Sequence, residues 1–222
     1  MVITIDGPAG SGKSTVARRL AERLGFDFLD TGAMYRAVAL ACLRRGVPPE
    51  DAEAAGGVAR TIVLDNVGDR WFLDGQDVTE AIRSEEVSRA ASIVAAHAGV
   101  REALVGQQRR LAEGRNLITE GRDQGTVVFP DARWKFFLTA DEEERARRRY
   151  RELVARGRSI GFDEVREQLR QRDERDRRRA IGPLRPADDA IVVDTTGKSV
   201  DQVVAELLAR VRGERTEDGG EE

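Results

Sequence analysis

Met1-Val2-Ile3-Thr4-Ile5-Asp6-Gly7-Pro8-Ala9-Gly10-Ser11-Gly12-Lys13-Ser14-Thr15 opens the chain, and the fold is decided there. Val2 to Ile5 is a β-branched run with the composition of a short buried strand. The next eight residues satisfy G-x-x-x-x-G-K-[ST] at every required position. Beyond them Val16, Leu20 and Leu24 recur at the spacing of one helix face. Strand, glycine loop and helix thus stand in the order a phosphate-binding loop needs. Glycines at 7, 10 and 12 let successive N–H groups point into one concavity, at a helix N-terminus that already favours an anion. Lys13 is placed to bridge β- and γ-phosphates, and the Ser14 hydroxyl to ligate Mg²⁺. Gly7, Pro8, Ala9, Gly10, Ser11, Gly12, Lys13, Ser14 and Thr15 are the candidate nucleotide-binding residues.

The 222 residues suffice for a sizeable core. A net charge of −3 makes no global case for nucleic acid or an anionic membrane. A single cysteine, Cys42, excludes an internal disulfide, and a cytoplasmic setting is expected. No apolar run is long enough for a membrane span, and an N-terminus occupied by a core strand leaves no room for a signal peptide.

Four further strands are expected at Phe26–Asp30, Asn116–Thr119, Arg133–Leu138 and Ala190–Asp194, with helices between them. That alternation indicates an α/β three-layer fold with a five-stranded parallel sheet. Thr31-Gly32-Ala33-Met34-Tyr35-Arg36 opens a helix to about Arg45. Thr31 is there either a simple N-cap or, with Arg36 one turn in, part of a second phosphate site. Thr61–Leu64, Arg70–Leu73 and Gln76–Val78 read as a β meander, with Asp74-Gly75 as its hairpin signal. Helices are expected from Glu80 to Ser92 and from Val100 to Glu113. His97, the only histidine, is assigned no catalysis.

Glu120-Gly121-Arg122-Asp123-Gln124-Gly125-Thr126 sets charges and glycines at a strand's carboxyl end, where open α/β sheets bind ligands. Residues 141–180 hold fourteen Arg and eleven Asp or Glu. Interleaving of that kind makes mostly solvated helices laced with ion pairs. Gly157 and Gly161, however, bracket an Arg-bearing turn that suits the lid of a phosphoryl-transfer enzyme. The acidic stretch 213–222 is expected to be disordered.

The loop alone admits kinases, GTPase switches and translocases. Neither asparagine, Asn66 or Asn116, starts an N-K-x-D guanine motif. From Val2 to about Leu208 the chain resembles the bacterial cytidylate kinase family. The resemblance rests on I-T-I-D-G-P with the loop, Leu29 to Arg36, Val87 to Ser92, Val100 to Leu104, Gly121 to Pro130 and Arg172 to Asp176. It implies transfer from ATP to CMP or dCMP with Mg²⁺. A monomer acting on small molecules, and on neither nucleic acid nor membrane, is expected. It places one kinase domain at 1–212: a core of 1–30, 101–150 and 164–212, a monophosphate-binding part with the β insertion at 31–100, and a lid at 151–163.

The same resemblance assigns roles. Thr31, Arg36 and Arg122 hold the acceptor's α-phosphate, and Ser92, Arg101, Asp123 and Arg179 read cytosine. Arg172 and Asp176 face the sugar. Lys13 and Arg122, with Arg148 and Arg158 from the lid, neutralise the transferring phosphoryl. Two positions depart from the family pattern. Glu120 stands where Asp is usual, and Gln124 where Met or Ile is usual; the Gln124 amide either tunes base preference or faces another polar group. The rival readings are a kinase for UMP, dTMP or another acceptor, and a nucleic-acid-stimulated NTPase.

Overall fold

A computed structural model describes residues 1–213. Its elements in order are β1 (Val2–Asp6), α1 (Lys13–Leu24), β2 (Asp27–Asp30), α2 (Thr31–Arg44), α3 (Ala52–Thr61), β3 (Leu64–Val67), β4 (Arg70–Leu73) and β5 (Gln76–Asp77). Then follow α4 (Glu85–Val94), α5 (Ala98–Ala112), β6 (Leu117–Gly121), β7 (Trp134–Thr139), α6 (Glu142–Ala155), α7 (Phe162–Arg178), β8 (Ile191–Asp194) and α8 (Val200–Gly213). Two compact units result: Met1–Leu29 with Gly114–Arg177 and the chain from Leu184, and Asp30–Glu113 with Arg178–Pro183.

The first unit is built on a five-stranded sheet of order β2-β6-β1-β7-β8. The pairings of β1 with β6 and β7, and of β7 with β8, are parallel. Ile3 and Ile5 of β1, Ile118, Phe136 and Leu138 are almost wholly buried and pack with Val16 and Leu20 of α1 and Val203 and Leu207 of α8. Each such aliphatic side chain contributes about 1.5–3 kcal/mol by leaving water, which is what holds the loop's two flanking elements still. α6 and α7 form a hairpin whose own apolar seam joins Ala146, Val165 and Leu169 to Ala9 of the glycine loop.

The second unit is mainly helical. α2 packs on α3, α4 and α5, and α3 packs on α5, so this unit runs to Glu113, past the boundary expected at residue 100. Asp74 (φ 49°) and Gly75 (φ 80°) make the β4–β5 turn, as the Asp-Gly pair predicts. The meander's first strand is displaced from the expected position. Thr61 ends α3 instead, and β3 begins only at Leu64, because Asp74 ties Val63 through both its backbone N–H and its carboxylate. The helix expected from Glu80 is split: a 3-10 turn at Ala81–Arg83 precedes α4, which Ser84 caps at Val87 N. Gly213, expected in the tail, belongs to α8, and the remaining acidic stretch lies outside the described residues.

Candidate active site

The glycine loop leaves β1 at Asp6 and enters α1 at Lys13. At Gly7 the backbone takes φ 152°, and a Cβ there would stand 2.1 Å from the Leu138 carbonyl oxygen, so only glycine fits against β7. Lys13 is buried, its Nζ donating to Pro8 O at 3.2 Å and lying 3.9 Å from Glu120 Oε2. Burial and the nearby Arg122 charge lower its pKa to about 8, against the opposing pull of Glu120. Arg172 and Asp176 also act on it electrostatically. Cations and carboxylates therefore alternate around the loop: Lys13 lies beside Glu120, and Arg122 beside Asp176.

Glu120 is the residue whose role the sequence left unassigned. Its register opposite Ile5 sets it beside the loop, where Ser14 Oγ donates to Oε1 at 2.7 Å. Two residues later, Arg122 Nε donates to Asp176 Oδ2 at 2.8 Å. Burial alone would weaken the Arg122 cation, but the carboxylates of Asp176 and Glu120 outweigh it and raise its pKa. Asp123 is buried and precedes a π-helical turn at Gln124–Val128. That turn is hung on Asp6, whose carboxylate accepts from Gln124 N at 2.9 Å and Gly125 N at 2.8 Å. Burial pushes the Asp6 carboxyl up to about 7 despite these donors, with the Asp123 charge adding to the rise. Gln124 turns inward and its Oε1 accepts from the Thr119 hydroxyl at 2.8 Å, so the second of its two expected roles is the observed one.

Of the expected lid arginines, Arg148 is fastened near the loop. It donates to Thr195 Oγ1 at 2.9 Å and Thr195 O at 2.6 Å, while Thr195 Oγ1 donates to Ser11 O at 3.1 Å. Arg158 lies exposed in the turn between α6 and α7. The arginine buried against the loop is Arg145, which the interleaved charge pattern did not single out.

In the second unit Asp30, not Thr31, is the N-cap of α2: its side chain accepts from Ala33 N at 2.9 Å. The same carboxylate accepts from Arg36 Nη2 at 2.9 Å, and Thr31 is buried in the first helical turn. Arg101 of α5 is almost fully buried, with its guanidinium 6.0 Å from the Tyr35 ring of α2. Ser92 of α4 is buried as well, and its Oγ has no hydrogen-bond partner among the described residues. Arg179 belongs to the same unit through the segment 178–183.

A glycine loop between a parallel strand and a helix, surrounded by Lys13, Arg122, Arg145 and Arg148 and flanked by an α-helical hairpin, defines a P-loop kinase. A gluconokinase from Sinorhizobium meliloti 1021 has this fold, with a TM-score of 0.51 at 17% identity over 99% of this chain and 97% of that one. The cytidylate kinase family profile matches residues 3–213. The chain is 51% identical to a cytidylate kinase from Rhodopirellula baltica, covering 96% of this chain and 93% of that protein. It is 50% identical to one from Caldanaerobacter subterraneus subsp. tengcongensis, over 95% and 94% of the two chains. The chain belongs to the cytidylate kinase family. No helix among the described residues is long and apolar enough to cross a membrane.

Proposed function

We propose that the chain transfers the γ-phosphoryl group of ATP to CMP or dCMP, giving ADP and the corresponding diphosphate. The observation that carries this reading is the Lys13-bearing glycine loop, with Arg145 bonded to Ala9 O and Arg148 reaching Ser11 O through Thr195, in a chain of the cytidylate kinase family. The loop's N–H groups and Lys13 hold the triphosphate. Arg122, with Thr31 and Arg36, holds the acceptor's phosphate; a hydroxyl and two guanidinium forks suit a dianion that must stay aimed. Ser92, Arg101, Asp123 and Arg179 read the base. Cytosine presents an amino donor and two acceptors, so a carboxylate beside an arginine matches it, whereas uracil sets O4 against that carboxylate. Arg172 and Asp176 serve the sugar.

The chemistry is an in-line displacement without a covalent enzyme intermediate. An acceptor phosphate oxygen forms the new P–O bond as the bond to the β-phosphate oxygen breaks, and ADP leaves. The acceptor is already an anion, so no general base is required; positioning and charge neutralisation carry the rate. Arg148 and Arg158 supply part of that neutralisation. The Ser14 hydroxyl and the Glu120 carboxylate are two hard oxygens 2.7 Å apart at the loop. That donor set suits Mg²⁺, which takes one or two protein oxygens and completes its shell with water and phosphate. When bound, Mg²⁺ offsets charge on the β- and γ-phosphates. Water must be excluded during transfer, or ATP is simply hydrolysed.

The test is ADP release with ATP and a panel of CMP, dCMP, UMP, dTMP and single-stranded DNA. CMP or dCMP turnover well above the others is the expected result. Preference for UMP would overturn the base-reading roles, and DNA-stimulated hydrolysis would overturn the kinase reading itself.

A further inference from the structure

Helix α7 carries two buried carboxylates one turn apart, Asp173 and Asp176, each about 1% exposed. They grip different things. Asp176 holds the Arg122 guanidinium. Asp173 Oδ1 accepts the Ala9 backbone N–H at 3.3 Å, and its other oxygen is ion-paired with Arg145 NH1. That same NH1 donates to the Ala9 carbonyl at 3.0 Å, and Arg145 Nε donates to Ala140 O at 3.1 Å. Both backbone polar groups of one loop residue, the N–H of the Pro8–Ala9 peptide and the C=O of the Ala9–Gly10 peptide, are therefore taken by side chains from α6 and α7. The Ala9 methyl is meanwhile packed on Ala146, Val165 and Leu169 of the same two helices.

A buried ion pair is weak evidence for stability, because well-packed apolar side chains of similar volume usually serve as well or better. Apolar side chains could not, however, hold the N–H and the C=O of one loop residue. We infer that Arg145 and Asp173 are positioning residues, which clamp the backbone on both sides of Ala9 and, through Asp176 on the same helix, keep the phosphate-binding loop in register with Arg122. The clamp acts on the donor nucleotide, since the N–H groups that would meet its phosphates follow directly at Gly10, Ser11 and Gly12. This rests on the reading of Gly7–Ser14 as a triphosphate loop.

The double variant Arg145→Met/Asp173→Leu removes the clamp without stranding a buried charge. Its affinity for a non-hydrolysable ATP analogue, measured by calorimetry with no acceptor present, is expected to fall about tenfold or more, as misplacement of a binding group commonly costs. The KM for CMP should stay within about twofold of wild type and the melting temperature close to it. Asp173→Asn keeps an acceptor for the Ala9 N–H and should retain analogue affinity between the two; it also carries the test if the double variant does not fold. Unchanged analogue binding in either variant, or equal losses for the analogue and CMP, would overturn the inference. A wild-type protein that does not bind the analogue would instead refute the reading of the loop.

Discussion

Ser14 Oγ on the loop and Glu120 Oε1 on β6 are joined by a 2.7 Å hydrogen bond, although the two residues are far apart in sequence. The bond exists because β6 is the immediate neighbour of β1, with Glu120 in register with Ile5. It pairs the hydroxyl and the carboxylate that suit the metal of a metal–triphosphate complex.

Glu120→Gln keeps the acceptor and removes the charge. The Mg²⁺ concentration for half-maximal rate should rise about tenfold or more, with KM for CMP little changed. Glu120→Asp should recover most of the loss. Titration of rate against free Mg²⁺ at fixed ATP decides it; a superimposable curve for the Gln variant would remove Glu120 from the metal site.

Lys13→Ala should lower kcat by about three orders of magnitude or more, the scale of removing a major charge from a transferring phosphoryl. The fold should survive, because Lys13 is held at a cost of burial that depresses its pKa to about 8. A coupled assay and a thermal melt on the same preparation check both halves. Near-normal turnover would contradict the role of the loop.

How far the sequence could be read varied from element to element, and the reason is physical. β1, the loop and α1 were legible because propensity, glycine placement and periodicity agree there. So was the turn at Asp74-Gly75. α3 was not, since Gly56 and Gly57 look like a break; in the structure Gly56 lies within α3 where α5 crosses closely, and a Cβ there would stand 3.4 Å from Gly99 Cα. Asp30 and Thr31 are both good caps, and only the end of β2 decides between them. Arg145 and Arg148 look alike in a run of arginines. What separates them is Asp173 arriving from α7, a tertiary fact. The function of Glu120 likewise depends on strand order, which no local pattern encodes.

Ser92→Ala should separate binding from stability. The hydroxyl is buried with no partner among the described residues, so removing it should leave stability equal or raise it by up to about 1 kcal/mol. KM for CMP should rise about tenfold, the cost of one lost hydrogen bond to a bound ligand, with KM for ATP unchanged. Loss of stability with normal CMP kinetics would count against a base-reading role.

Asp6→Asn gives a pH signature. The Asp6 pKa rises from 3.8 unfolded to about 7 folded, so the native state binds the extra proton between those values. Its contribution to stability is full below pH 3.8 and is lost as pH climbs through 7. Wild-type stability minus that of the variant should therefore be most positive near pH 4 and fall steadily towards pH 8, as read by urea unfolding across that range. Parallel profiles would mean that Asp6 titrates normally.

Gly7→Ala should be among the most destabilising single-methyl additions in the chain. The new carbon would sit 2.1 Å from the Leu138 carbonyl oxygen, so β1 and β7 must part locally. A loss of about 3 kcal/mol or more is expected, together with loss of ATP-dependent thermal stabilisation. A variant as stable as wild type would show that the loop has another conformation to use.

The central strand has a consequence for how the protein comes to exist. Val2 pairs with Leu117 and Ile3 with Trp134, so β1 finds both of its neighbours in the second half of the chain. Parallel partners so distant are slow to meet, because the closing of a long loop must precede any reward. During synthesis the first apolar strand waits unpaired until β6 and β7 follow it. Refolding should accordingly be limited by this central pairing, with nucleotide binding recovered in the last phase. The stretch made first is completed last.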